Sequence, residues 1–201
     1  MWVPAGCGAF LAGTFLSAFL FYRGRAFDPR SAVISDLQSP LDNPLGYGAS
    51  AVGTAFFAVL ITPAVAVFWR QLRRTRPKLA GTGGAAFAIG LVAALGVAAS
   101  APFTYDYTPA HILLSSTAFT GISAGTYLHL VAVRASRAFL TFQFGVLLMV
   151  IYLCFGPVQF DNSRLLTGLA FWEWLLCADC GVALWWLARA VEKQSVTRSG
   201  A

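Results

Sequence analysis

Apolar residues fall into six long blocks separated by short polar segments, rather than alternating along the chain. A helix needs about 20 mostly apolar residues to cross a hydrocarbon core of roughly 30 Å, and each block approaches that length. The pattern predicts an all-α integral membrane bundle of six transmembrane helices in one domain over residues 1–201. The spans are expected over residues 5–22, 45–69, 79–101, 110–133, 138–156 and 165–190, with a polar tail closing the chain. Pro63 lies inside the second block, where a proline removes one backbone hydrogen bond and predicts a kink. Gly81, Gly83, Gly84, Gly90 and Gly96 mark the third as a helix that another can approach closely.

Composition sharpens this picture. Of 201 residues, 58% are hydrophobic and only 11% charged, against about a quarter charged in a soluble domain. The blocks leave no room for a separate soluble domain, so function is expected in the bundle and its loops. The first block has no basic residue before it and no small-x-small site after it, so it reads as a retained span and not a secretory signal. Cys7, Cys154, Cys177 and Cys180 all lie inside apolar blocks, where they describe no disulfide framework.

The net charge of +6 is placed for a membrane and not for nucleic acid. Its basic residues flank the apolar blocks, where they orient the chain and meet anionic lipid heads. With both termini inside, the inner segments hold ten basic residues: Arg70, Arg73, Arg74, Arg76, Lys78, Arg134, Arg137, Arg189, Lys193 and Arg198. The outer loops then hold four, namely Arg23, Arg25, Arg30 and Arg164. Ten against four predicts N-in, C-in by the positive-inside rule. Localisation is multi-pass, in a plasma or inner membrane or an endomembrane. The expected partners are membrane lipids, and no protein partner is indicated.

Ionisable residues inside spans are costly and point to function by default. Here they are Glu173 and Asp179 in the sixth span, with His111 and His129 near the two ends of the fourth. In the expected topology His111 opens its span at the outer side, and Glu173 lies about 12 Å into its own from the same side. Asp36 belongs to the outer loop beside Ser35, so one histidine and two carboxylates are placed to converge at the outer leaflet. Such a trio would hold a divalent metal, perform acid–base chemistry on a lipid headgroup, or tie the first loop to spans four and six through hydrogen bonds. Ser35, Asp42, Asn43 and Asp106 are the expected supporting residues, and Asp179 is a candidate lining group for a deeper polar cavity. His129 reads as an interfacial residue. Cys177-Ala178-Asp179-Cys180 reads as packing, since no second cysteine pair completes a metal site. Trp172, Trp174, Trp185 and Trp186 include expected interface anchors.

Three short pieces carry a family resemblance. Ile34-Ser35-Asp36-Leu37, followed by Asp42-Asn43-Pro44-Leu45-Gly46-Tyr47, resembles the "SDLG…NP" signature of a prokaryotic six-span family, with Gln38 where the usual glycine stands. Ile34-Ser35-Asp36, His111 and Glu173-Trp174 together make the chain similar to the DRAM/FRAG/SFK group of eukaryotic six-span proteins. That resemblance implies lipid-related roles and names no reaction or cofactor.

The leading expectation is binding or modification of a lipid near the outer leaflet by Asp36, His111 and Glu173. If this is catalysis, it is hydrolysis or acyl transfer, with the same three residues as a possible metal set. One rival is a small transport or substrate-capture subunit with a polar cavity leading to Asp179. The other is a regulatory membrane protein with no turnover.

Overall fold

A computed structural model describes residues 2–23, 28, 34–103, 109–155 and 169–199, with side chains up to residue 193. Six long helices follow one another: α1 (Val3–Phe21), α2 (Tyr47–Leu72), α3 (Pro77–Ser100), α4 (Pro109–Ala132), α5 (Arg137–Phe155) and α6 (Leu169–Ser199). Short 3₁₀ turns occupy Asp36–Gln38 and Ala101–Phe103. Among the described residues there is no strand.

Five of the six helices, all but α4, are long and apolar enough to cross a membrane. α4 has the length, but Ser115, Ser116, Thr120, Ser123, Thr126 and two histidines dilute its hydropathy. The packing explains why this is tolerated. α4 sits against α3, α5 and α6, so much of its surface meets protein and need not match lipid. The outward faces of the other helices are apolar, with Phe19, Phe56, Ile89, Val92 and Phe142 exposed. An exposed apolar girdle of this extent is what a bilayer, and not water, would cover.

Two helix pairs set the frame. α1 crosses α2 at Gly13 and Gly53, where a Cβ on Gly13 would come within 2.5 Å of the Ala49 carbonyl oxygen. α3 crosses α4 at Gly90 and Gly121, where a Cβ on Gly90 would lie 2.7 Å from the Ile122 nitrogen. In both places the obstructing atom is backbone, so only glycine permits the approach. Of the small-residue stripe in the third span, Gly90 and Gly83 meet α4, whereas a Cβ on Gly81 meets nothing within 4 Å.

The main core lies toward the basic α2–α3 turn. Val3, Ile61, Phe68, Phe87, Leu130, Leu184 and Leu187 are fully buried there. A smaller cluster of Ala18, Tyr22 and Leu37, with Phe21 and Trp174 against it, closes the opposite end.

Several local expectations change. Pro63, where a kink is expected, lies inside the continuous α2 helix. Residues expected as a polar tail continue α6 to Ser199, helped by an exposed i,i+3 pair between Arg189 and Glu192 at 3.7 Å, a pair of small energetic weight. α4 ends with Arg134 at φ 57° and an Ala135 N–H donated to the Leu130 carbonyl at 3.1 Å, the left-handed cap that glycine usually supplies.

Candidate functional site

The site is built around the loop between α1 and α2. Asn43, only 2% exposed, holds that loop down. Its Nδ2 donates to the Ser17 hydroxyl at 2.8 Å and the Ser17 carbonyl at 3.0 Å, while its Oδ1 accepts the Gly46 N–H at 3.0 Å. The Ser17 hydroxyl in turn donates to the Leu37 carbonyl at 2.8 Å. Leu37 is fully buried against Ala18 and Tyr22, which fixes the 3₁₀ turn and presents Ser35 and Gln38 to the bundle interior.

α6 meets the same turn. Glu173 accepts the backbone N–H of Ile34 at 2.7 Å and also that of Ser35, with the Asp36 carboxylate close enough to interact electrostatically. Two successive N–H groups directed at one carboxylate form a small anion nest. α4 contributes His111 from its first turn, buried at 6% exposure, with Nε2 3.3 Å from the Ser115 hydroxyl one turn later.

These groups share a cavity of about 490 Å³, within the range of small-ligand sites. Its polar end carries Ser35, Gln38, Thr54, His111, Ser115 and Glu173. The rest is lined mainly by Phe10, Phe57, Val97, Phe119, Ile122 and Trp185, with Ser123 among them and Cys7, Cys177 and Cys180 on the wall. Glu173 and Trp185 both line it, and twelve residues of helix separate them by about 18 Å.

The expected trio therefore meets in part. His111 and Glu173 line one cavity together with Ser35, whereas Asp36 stands beside Glu173 in the loop and is not among the lining residues. Among the described residues no three of His, Cys, Asp and Glu are grouped to hold a metal ion, so the metal arrangement of Asp36, His111 and Glu173 gains no geometric support. Asp42 is exposed in the turn, with its own N–H on the Ser39 hydroxyl at 3.3 Å. Asn43, expected as a binding group, is instead the clamp of the loop. Asp106 lies outside the described residues.

Two deeper expectations are corrected. Asp179 points to α5, where it accepts a hydrogen bond from Gln143 at 2.9 Å; it does not line the cavity. His129 is not interfacial: it is 0% exposed, with Nδ1 2.8 Å from the Gly125 carbonyl and its ring between Phe68 and Phe87. Gly83 makes room for it, since a Cβ there would lie 2.6 Å from Nδ1.

The residue pattern alone did not reveal Gln38, Thr54, Ser115 or Cys177 as cavity residues. For Ser115 a signal existed in its i,i+4 spacing from His111. For Gln38 there was none beyond its departure from glycine in the loop signature. No protein-family model, curated protein or solved structure matches the chain.

Proposed function

We propose that this is a six-span membrane protein, N-in and C-in, that binds an amphiphilic lipid with its head at the Ser35–His111–Glu173 end of the cavity. The observation that carries the reading is the make-up of that cavity: most of its polar groups gather where the first loop meets α4 and α6, and a mainly apolar lining, interrupted by Ser123, continues about 18 Å along α6 to Trp185. That length is comparable to one leaflet of a hydrocarbon core, about 15 Å. The positive-inside count supports an outer-leaflet position for the polar end. The pieces that resemble the DRAM/FRAG/SFK group support membership of that group as a further part of the proposal, because Ile34, Ser35, His111 and Glu173 all line this one cavity.

Native mass spectrometry of the protein extracted in mild detergent tests the binding. The wild type should retain a lipid adduct, and Gly181→Phe should lose it. Gly181 lines the cavity, and a Cβ there meets nothing within 4 Å, so the new ring occupies ligand space without displacing backbone. A wild type free of adducts would sink the reading.

The Ser115–His111 contact favours a second reading, hydrolysis or acyl transfer on the bound lipid. Ser115 would be the nucleophile and His111 its base, both facing the cavity. An alkyl fluorophosphonate should then label the wild type and spare Ser115→Ala. No labelling of the wild type would remove catalysis by Ser115 and leave the binding reading standing.

A further inference from the structure

We infer that the cavity selects an amphiphile whose head donates hydrogen bonds, an amine or hydroxyl and not a carboxylate or phosphate, and that this ligand enters sideways between α1 and α6. The inference rests on the amphiphile-binding reading and specifies its ligand.

The head preference follows from which polar groups at the cavity's end already have partners. Thr54 donates its hydroxyl proton to the Ser50 carbonyl at 3.0 Å, an atom that only accepts. Its oxygen can then only accept from Gln38 at 2.9 Å, which identifies the near atom of that amide as the nitrogen. Gln38 Oε1 is left facing elsewhere, buried and with no hydrogen-bond partner among the described residues. Gln38 is 4% exposed and lines the cavity. A buried acceptor without a donor costs about 1–3 kcal/mol, a deficit that a ligand donor would remove once the Gln38 amide turns its oxygen toward the cavity. Glu173 adds a carboxyl acceptor at the same end, with Asp36 near it in the loop. Among the described lining residues there is no Lys or Arg to receive an anion. An ammonium or hydroxyl head meets the carboxyl of Glu173 as an acceptor here; a carboxylate or phosphate head finds no cationic side chain among the described lining residues.

The route follows from where the walls are thin. α1 packs closely on α2 but only lightly on α6, and near the polar end the two meet through Phe15 and Trp174, with ring centroids 6.2 Å apart. Farther along, the lining residues Leu11, Val182 and Trp185 are 45%, 60% and 51% exposed. They belong at once to the cavity and to the lipid-facing surface. The buried core around Val3, Ile61 and Leu187 closes the far end, so the α1–α6 side is the way in from the bilayer.

The test uses purified full-length protein in phosphatidylcholine nanodiscs, with two photoreactive probes of equal chain length and a mid-chain diazirine. One probe is a long-chain primary amine and the other a fatty acid. Saturable labelling by the amine should exceed that by the acid about tenfold and map to Leu11, Val182 or Trp185. Glu173→Gln or Gln38→Leu, each checked for folding by its melting transition, should cut that preference at least about threefold. Equal labelling, preference for the acid, or a preference unchanged in both folded variants overturns the head assignment while leaving amphiphile binding intact. Labelling confined to the far side of the bundle, on α5, overturns the α1–α6 route. If neither probe labels the cavity saturably, the binding reading falls as well.

Discussion

Glu173 of α6 accepts the Ile34 backbone N–H at 2.7 Å across 139 residues of chain. This single contact joins the last helix to the first loop and sets the polar end of the cavity. Glu173→Gln keeps an acceptor for the Ile34 N–H and should cost no more than about 1 kcal/mol. Glu173→Leu leaves the Ile34 and Ser35 N–H groups buried without an acceptor and should cost about 2–4 kcal/mol. Thermal unfolding of both variants in one detergent checks the order; equal melting temperatures would show that this contact does not hold the loop.

Asn43 carries the same loop from the other side, through Ser17 and Gly46. Asn43→Ala should destabilise by about 2–3 kcal/mol, because several buried groups lose partners together. Asn43→Asp should be at least as harmful, since a carboxylate cannot donate to the Ser17 and Leu37 carbonyls. Denaturation midpoints decide this, and a stable Asp variant would mean that the donors are dispensable.

The glycine crossings predict a contrast within one residue type. Gly121→Ala places a Cβ 2.8 Å from the Ala86 carbonyl oxygen and the Gly90 Cα, so α3 and α4 must separate and the melting temperature should fall. At Gly145 a Cβ meets nothing within 4 Å, and Gly145→Ala should be neutral or stabilising by up to about 1 kcal/mol from helix propensity. Similar melting shifts for the two would count against the α3–α4 crossing.

Topology is open to direct measurement. In intact cells a membrane-impermeant maleimide should label Asp42→Cys, which is exposed in the first loop. It should reach Arg74→Cys and Ser136→Cys only after permeabilisation. Labelling of Ser136→Cys from outside would mean that α4 does not cross, leaving five spans; the reverse pattern at all three sites would invert the orientation.

Arg134 supplies a last check on local strain. It holds φ 57° in the turn between α4 and α5, a conformation that costs a non-glycine residue about 1–2 kcal/mol. Arg134→Gly should leave stability unchanged or raise it by about 1 kcal/mol, the strain relief being partly offset by greater chain entropy. A clear loss on melting would show that the arginine side chain makes a contact that outweighs the strain.

Much of the architecture was legible in the residues because it is local. Long apolar blocks and the basic segment at Arg70–Lys78 locate the helices within a few residues, since a membrane leaves a chain few other ways to satisfy its backbone. The polar content of α4 was visible too, but composition alone cannot say whether such a helix faces protein or lipid. His129 shows the cost of that ambiguity: its position near a helix end suggested an interface, and packing by Phe68 and Phe87 buried it completely.

By itself, then, the sequence determined six helices, an outward apolar surface, the uneven distribution of basic residues, and the short list of polar side chains available for function. Only the tertiary structure decided which of them share a space. It set Glu173 beside Ser35 and His111 on one cavity, turned Asp179 away to Gln143, and made Asn43 a clamp and not a ligand group. The physical reason is that helix periodicity reports where a side chain sits around its own axis, not which helix stands opposite. Here that choice rests on contacts such as Gly13–Gly53 and Gly90–Gly121, where a missing Cβ on both partners lets two backbones meet.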